Sequence, residues 1–414
     1  MVKKSLTILS AILLFAGSLF ASGFQINENG ARAMSMGNAF TGVANDASAV
    51  YFNPAAITQL SGTRLSFGST AILPKASFRG VSPAVTEYKM QDQTFTPINF
   101  YLTRQISKKL HVGFGINNPY GLGSKWDDNW IGKYLAVETE VRTFFFAGNV
   151  AYQFTDCLSL AVGINYAYGD VTIIKYVLLP DPLAGDFKLS LSGDGTSIGF
   201  NVAAFFKPSE KFSLGVSYRS SNKFDFSGTA KSEEGPAALA SQLPSGDITA
   251  SLTTPMNLTV GVGFFPNEKL TLSADFQYVG WSSYDKLAVD FNNPNTDDID
   301  VKRDYQNSWI ARAGVEYKLN DNLALRGGLF YDKNPIKDEL AEPSLPDADR
   351  IGFNAGLGYK LTEKLSVDLS YLFLRFAERT ITNSEQTYTS GNSPFNGVYN
   401  SYTHLFGINL SYNF

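Results

Sequence analysis

Alternation of apolar with polar or small residues is the feature that most constrains this chain. From about Thr63 onward it recurs in segments of roughly ten residues, and helical spacing is almost absent. In residues 158–167, for example, leucine, valine, isoleucine and tyrosine alternate with serine, alanine, glycine and asparagine. Because successive side chains of a strand point to opposite faces, each predicted strand has one apolar face and one polar or small face.

Short turns and long loops follow one another in strict alternation. Six short turns lie at 107–109, 155–157, 208–211, 266–269, 320–322 and 362–364, and seven long loops at about 74–93, 118–140, 176–187, 225–250, 283–306, 332–349 and 378–400. These connections join fourteen strands in an up-and-down meander, which is typical of bacterial outer-membrane barrels. A soluble β-propeller or sandwich would bury both faces of many strands. We therefore predict an all-β fold, a 14-stranded antiparallel transmembrane β-barrel over residues 63–414.

Composition and charge exclude several classes of function. The balance of 14% aromatic and 17% charged residues suits a surface that faces something other than water. A net charge of -4 gives no basic footprint, so we expect no nucleic-acid partner. One cysteine and two histidines argue against a metal site or cofactor, and the acidic stretch 297–304 lacks the glycine and spacing of a calcium loop. We expect that stretch to be a solvated loop.

The two ends of the chain predict export to the outer membrane. Residues 1–21 read as a signal peptide, with Lys3 and Lys4 before an apolar run that is shorter than a spanning helix. The last strand ends on Phe414, with Tyr412 two residues before it, which resembles the signal read by the outer-membrane assembly machinery. We expect that machinery, outer-membrane lipid and lipopolysaccharide as partners, and a monomer in the outer membrane of a Gram-negative-type bacterium.

Residues 22–62 precede the first strand and lack clean alternation. They are dense in glycine, alanine and serine. Fourteen strands make a barrel between those that side chains fill and the 16–18-stranded porins with an aqueous channel, so an open lumen would leak. We therefore predict that this segment is a small N-terminal hatch that plugs the lumen. The alternative, a disordered periplasmic tail, should be more charged and less apolar.

Several short motifs together resemble the FadL family of outer-membrane transporters for long-chain fatty acids and aromatic hydrocarbons. The motifs are Gly23-Phe24-Gln25, MGNAF at 36–40, NDAS at 45–48, YFNPA at 51–55, NPYG at 118–121 and WIGKY at 130–134. With the strand count, the resemblance covers essentially the whole mature chain.

The resemblance implies that the protein transports its ligand passively and is not an enzyme. A hydrophobic ligand first lodges among the extracellular loops, then enters a lumen pocket beside the hatch N-terminus, and leaves sideways into the bilayer through a gap at a kink in strand three. On this reading Asn53, Pro54 and Ala55 pack against the gap as its gate, and Phe24 contacts ligand. The substrate is a long-chain fatty acid or, by the same mechanism, an aromatic hydrocarbon or alkane.

The residues of strand three agree with a wall defect. Proline cannot donate a ladder hydrogen bond, so Pro119 with Gly115 and Gly121 makes regular pairing unfavourable at the outer end of this strand. The alternative is that Pro119 simply ends the strand at a loop.

Strand parity predicts the side chains that meet a ligand in the lumen: Phe145, Arg312, Arg326, Phe330, Leu372 and Leu374. Arginine offers two parallel hydrogen bonds to a carboxylate. Both arginines have an alternative, which is to pair with Glu316, Asp368 or hatch acids and fix the plug. In the loop at 118–140, Trp126, Trp130, Ile131 and Tyr134 form either an outer capture groove or an interfacial aromatic belt.

Two rival functions fit the sequence less well. An outer-membrane lipase would need His111 or His404 beside a nucleophile, and neither lies in a nucleophile motif. A general porin would need an open lumen, which a compact hatch and apolar lumen positions oppose.

Overall fold

The computed structural model describes residues 23–179, 185–239, 242–294, 296–388 and 393–414, so the predicted signal peptide lies outside the described residues. All strands belong to one antiparallel sheet. They are β1 Thr63–Gly80, β2 Glu87–Lys89, β3 Ile98–Gln105, β4 Leu110–Asn117, β5 Gly121–Lys125, β6 Glu138–Gln153, β7 Leu158–Leu178, β8 Asp186–Ser209, β9 Phe212–Arg219, β10 Asn222–Glu233, β11 Gly246–Thr254, β12 Asn257–Asn267, β13 Leu270–Val279, β14 Lys286–Phe291, β15 Ile299–Lys302, β16 Ser308–Lys318, β17 Leu323–Asp332, β18 Arg350–Lys360, β19 Leu365–Phe376, β20 Arg379–Ile381 and β21 Gly397–Asn413.

The sheet closes on itself as a barrel. Within the described residues, fourteen strands form the wall in the order β1, β3, β4, β6, β7, β8, β9, β12, β13, β16, β17, β18, β19 and β21. The last strand returns to the first, with pairing from Arg64 opposite Asn413 to Gly80 opposite Gly397. The predicted barrel and its strand number are thus confirmed. Closure pairs the first strand with the last, so that neither exposes an unpaired edge to lipid.

β5 continues β4 within the third wall strand, and the remaining strands lie above this wall, in the segments that the sequence predicts as loops. The long segment at 225–250 contains most of the hairpin of β10 and β11, and the segment at 283–306 contains β14 and β15. The wall strands β7 and β8 likewise continue as one ladder up to Leu178 opposite Asp186. Strand pairing continues here without an apolar outer face because these residues lie beyond the membrane, so the alternation that marks a membrane strand is absent.

The outer face of the wall is apolar. Large apolar side chains at alternate positions are exposed, among them Ile164 at 69%, Ile198 at 77% and Phe406 at 52%. A lipid-facing band explains this exposure, because such patches are rare on proteins that face water. None of the helices in the described part of the chain is long and apolar enough to cross a membrane.

Residues 23–62, the N-terminal segment, lie inside the barrel. They contain the short helices α1 Ala31–Ser35 and α2 Ala49–Phe52 and a 3-10 helix at Pro54–Gln59. At Gly37 φ is +66°, and a Cβ would come within 2.9 Å of the carbonyl oxygen of Ala313 in the wall. A residue with a side chain would be strained there, so glycine lets this backbone approach the sheet.

A buried group of charges joins the N-terminal segment to the wall. The guanidinium of Arg32 donates to both carboxylate oxygens of Glu316 at 3.0 Å. Arg326 donates to Glu316 at 2.6 Å and to Asp368 at 2.5 Å. The side chain of Glu316 is only 4% exposed, and that of Arg326 only 6%. One buried carboxylate therefore compensates two guanidinium groups, one from each part of the protein.

Replacing Glu316 should loosen the N-terminal segment. The Glu316→Ala change leaves Arg32 and Arg326 without their shared partner, and breaking a buried ion pair costs about 3–5 kcal/mol. We expect faster proteolysis within residues 23–62 and a lower midpoint of unfolding in urea. The control is Glu363→Ala, in an exposed turn. Equal protease resistance of Glu316→Ala and the unmodified protein would contradict this role.

Candidate functional site

The third wall strand is interrupted at the position of Pro119. Its lower part, β4, ends with Asn117 opposite Phe145, and its upper part, β5, begins with Gly121 opposite Arg142. Residues 118–120 therefore lie opposite residues 143–144 of β6, which makes a bulge of one extra residue. β4 pairs with both β3 and β6, whereas β5 pairs with β6 alone among the described strands.

The backbone of the N-terminal segment binds to this interruption. Ile26 donates its N–H to the carbonyl of Pro119 at 2.9 Å, and Gly121 donates to the carbonyl of Phe24 at 3.0 Å. At Gly121 a Cβ would lie 2.7 Å from the terminal methyl of Ile26, so the two chains approach closely here. The start of the N-terminal segment thus supplies hydrogen bonds that a neighbouring strand would supply in a regular sheet.

A cavity of about 620 Å³ opens beside β5. Its lining includes the buried side chains of Phe24 and Leu405 in the lumen. It also includes Arg142 and Phe144, which alternate with buried residues of β6 and therefore face outward. The cavity consequently extends from the lumen through the wall. The ring of Phe95 lies over Gly123 in this opening, where a Cβ would be only 1.9 Å from the ring.

The inner end of the cavity is polar. Arg350 borders it and donates to Asp332 at 2.9 Å. Asp347 accepts the N–H of Gly23 at 2.8 Å. Burial raises the pKa of Asp347 to about 6, although Arg350 lowers it. The N–H of Gly23 is therefore held by a carboxylate whose pKa burial raises.

An aromatic cluster surrounds Phe24. Its ring lies 4.7 Å from that of Trp281, 5.8 Å from Tyr284 and 6.2 Å from Tyr120. The same buried cluster contains four of the predicted ligand contacts: Phe145, Phe330, Leu372 and Leu374. Leu374 also borders the cavity. The structure thus brings the predicted apolar contacts together, and their contact with ligand stays a prediction.

The two predicted arginines are engaged by the protein. Arg326 belongs to the ion group with Glu316 and Asp368, which was its stated alternative. Arg312 donates to the side-chain oxygens of Asn27 at 2.9 Å and Gln277 at 2.6 Å. Arg312 therefore joins the N-terminal segment to the wall, whereas Arg326 bonds to wall residues and is linked to that segment through Glu316, which also accepts from Arg32. Neither borders the cavity beside β5, and Arg350, the cation at the inner end of that cavity, escaped prediction because its strand carries no motif.

Asn53, Pro54 and Ala55 lie deep in the lumen. The amide of Asn53 donates to the carbonyls of Thr41 and Ala204, both at 3.1 Å, and accepts the N–H of Ala55. Pro54 opens the 3-10 helix, where its missing N–H needs no partner. Pro54, Gly115 and Pro119 border one small cavity of about 20 Å³. The motif thus ties the N-terminal segment to β8 and reaches the interruption, and its gate role stays a prediction.

The two tryptophans of the loop at 118–140 are buried. Trp126 and Trp130 stack with ring centroids 4.3 Å apart and are 1% and 3% exposed. Their indole N–H groups donate to the carbonyls of Pro343 and Ala136, respectively. Tyr134 donates to Asp186 at 3.0 Å, and Ile131 is 40% exposed. The tryptophans form the core of the extracellular loops together with Phe78, Phe395 and Tyr399, and their part in ligand capture stays a prediction.

The acidic stretch and the histidines have their own contacts. Asp298 accepts the N–H of Phe291 at 2.8 Å, and Asp300 pairs with Lys286 at 2.7 Å. His404 shares a hydrogen bond of 2.8 Å with the hydroxyl of Tyr371. In the described part of the chain, neither histidine forms a hydrogen bond with a serine.

The comparisons with known proteins agree with this geometry. The family model described as outer membrane protein transport protein (OMPP1/FadL/TodX) matches residues 12–414. Outer membrane protein P1 of Haemophilus influenzae is 26% identical, over 98% of each chain. The long-chain fatty acid transport protein of Escherichia coli (strain K12) is 23% identical, over 98% of this chain and 97% of that protein.

The fold has a solved counterpart. The crystal structure of a Pseudomonas aeruginosa FadL homologue superposes with a TM-score of 0.86 at 20% identity, covering 95% of this chain and all of that one. Since the family model spans nearly the entire sequence and the barrel is that of its relatives, this outer-membrane protein belongs to the OMPP1/FadL/TodX family of outer membrane transport proteins.

Proposed function

We propose that the protein is a passive channel for hydrophobic molecules, long-chain fatty acids or related lipophilic compounds, across the outer membrane. The cavity beside β5 is the observation that carries this proposal. Its volume of about 620 Å³ lies within the usual range of small-molecule sites. Its lining is mainly apolar, with Arg350 at the inner end. A molecule with a long apolar body and one polar end fits such a lining.

The exit is sideways into the bilayer. Axial passage would require movement of the N-terminal segment, which the buried charges of Arg32, Glu316 and Arg326 hold against the wall. The opening beside β5 offers a route on which an apolar solute moves from an apolar cavity to lipid without crossing water. We assign the role of hatch to the N-terminal segment and the role of gate to Asn53-Pro54-Ala55, which support the interruption from the periplasmic side.

Transport of polar solutes and enzymatic hydrolysis have less support. A porin needs a continuous aqueous path, and residues 23–62 occupy the lumen. A lipase needs a histidine that activates a nucleophile. His404 instead bonds to Tyr371 on the outer face of the wall, and the relatives are named as transport and outer-membrane proteins.

Filling the cavity should slow uptake. Leu374 is 7% exposed and borders the cavity, so Leu374→Trp would take up part of its volume. In proteoliposomes we expect the unmodified protein to pass labelled long-chain fatty acid but not small sugars, and the variant to pass fatty acid about tenfold more slowly, as loss of about 1.4 kcal/mol of binding would give. The control is Leu369→Trp on the lipid face of the same strand. Sugar flux at the rate of an open porin would refute the proposal.

Loosening the gate should open the lumen. Asn53→Ala removes the hydrogen bonds to Thr41 and Ala204 and leaves those buried carbonyls with fewer partners. We expect a several-fold increase in leak of small solutes from proteoliposomes and a changed rate of fatty-acid uptake. Resistance to SDS at room temperature should show that the barrel is still folded. Asn45→Ala, exposed on the same segment, should behave as the unmodified protein. Unchanged leak and uptake in Asn53→Ala would remove the gate role.

Acid should release the start of the N-terminal segment. Because burial raises the pKa of Asp347 to about 6, its carboxyl is charged at pH 7 and mainly protonated at pH 5. Protonation weakens the bond accepted from Gly23 and so loosens the start of the N-terminal segment, which borders the cavity. We expect bound fluorescent fatty acid to dissociate faster at pH 5 than at pH 7. Asp347→Asn should abolish this difference, whereas Asp349→Asn, whose carboxyl also titrates near pH 6, should retain it. If the difference between pH 5 and pH 7 persists in Asp347→Asn, a group other than Asp347 causes it.

A further inference from the structure

A row of basic and aromatic side chains crosses three adjacent strands on the outer face of the barrel. Arg375 of β19 lies directly opposite Tyr402 of β21, and Tyr402 lies directly opposite Lys75 of β1. All three are at outward positions, because their neighbours Phe376, Ser401 and Ala76 are buried. Arg79 lies two outward positions beyond Lys75 on β1. We call these four residues the rim patch.

The rim patch marks the outer edge of the lipid-facing band. Below it, the outward positions of β19, β21 and β1 form further rows of residues that lie opposite one another. The next two rows are Phe373, His404 and Leu73, and Tyr371, Phe406 and Ala71. The lowest row is Leu365, Tyr412 and Leu65. Residues 402 and 412 of β21 are ten residues apart, which spans about 25 Å of height at ~3.3 Å per residue and a tilt of about 40°. That height is the usual thickness of the apolar band, about 25 Å. The rim patch therefore lies where the headgroups of the outer leaflet begin.

The charges of the rim patch are available to a ligand. Among the described residues, the guanidinium groups of Arg375 and Arg79 have no hydrogen bond or ion pair. Lys75 pairs with Asp92, but the aspartate side chain is 83% exposed, and such a surface pair contributes little stability. Glu87, which lies opposite Arg79, is within 3.9 Å of Lys89. The guanidinium of Arg375 can thus offer its full fork of donors to an anion.

An aromatic platform lies directly beneath these charges. The rings of Tyr371 and His404 stack at 6.1 Å and share a hydrogen bond, and Phe373 lies 5.2 Å from His404. Tyr402 and Phe406 extend the platform on either side. Five packed rings give a rigid, slightly polar surface at a membrane interface, where such rings are favoured.

The wall across the opening beside β5, at β6, β7 and β8, differs. There Arg142 lies opposite Asp170, and Asp170 lies opposite Asp194, all facing outward. Arg142 pairs with Asp170 at 2.7 Å. This row has more acidic than basic groups, so a basic rim is a property of the wall at β19, β21 and β1 and not of the whole circumference.

We infer that the rim patch binds the phosphate of a phosphorylated glycolipid of the outer leaflet, with its sugar over Tyr402 and its acyl chains along the aromatic platform. Arginine and lysine recognise phosphate through charge-assisted hydrogen bonds. Lys75 also borders the outer mouth of the cavity beside β5. The bound glycolipid would therefore lie at the edge of the proposed sideways exit.

Direct titration tests this assignment. Mature protein, purified in detergent and stripped of native glycolipid, is titrated with bisphosphorylated lipid A in mixed micelles, and bound lipid is counted by native mass spectrometry. We expect one tightly bound lipid A, and at least about tenfold weaker binding of enzymatically dephosphorylated lipid A, since each lost hydrogen bond to a charged group costs roughly that factor. Inorganic phosphate at the same concentrations should neither bind nor displace the lipid.

Variants locate the site on the barrel. Arg375→Ala and Lys75→Ala should each weaken lipid A binding about tenfold, and Arg375→Lys should retain part of the affinity because it keeps the charge. The matched control is Arg104→Ala, which removes an exposed arginine that has no partner among the described residues, at the periplasmic edge of the band. Equal binding of dephosphorylated lipid, displacement by inorganic phosphate, or the same loss in Arg104→Ala would overturn the assignment.

Discussion

Pairing of the first strand with the last is the interaction on which the rest of the structure depends. Lipid offers no hydrogen-bond partners, so a sheet that crosses the membrane must satisfy every backbone group within itself. The register from Arg64 opposite Asn413 to Gly80 opposite Gly397 does this by closing the wall. Closure in turn creates two surfaces of opposite character: an outer face that must be apolar and an enclosed lumen that must be filled.

The break in the third wall strand follows from the same requirement. Pro119 and the bulge around it would leave unpaired backbone groups at membrane depth, which is costly without partners. Phe24 and Ile26 supply those partners from inside the lumen. The N-terminal segment therefore replaces a missing strand neighbour over a short stretch, and just above that stretch, where it supplies none, the wall opens beside Gly123. Filling the lumen and opening the wall are two consequences of one arrangement.

Much of the fold could be predicted from residues alone. Side-chain alternation has a period of two and is a local property, so it gave the wall strands and the faces of Arg312, Phe330 and Leu372. The extracellular hairpins were missed because above the membrane no apolar face is required. Of the candidate site, the apolar cluster around Phe24 was foreseeable, whereas Arg350, Asp347 and Phe95 carry no local signal. Their importance arises from neighbours that are far away along the chain.

The sequence by itself determined the barrel, its strand number and which side chains face the lumen, because these depend on local periodicity and on connection lengths. Only the tertiary structure decided what each buried charge contacts. Arg326 pairs with Glu316 and Asp368, and Arg312 with Asn27 and Gln277, since register and the path of the N-terminal segment bring those groups within hydrogen-bond distance. Tertiary structure also decided that the opening lies beside β5, because a gap in a wall is a relation between strands, which no single stretch of sequence contains.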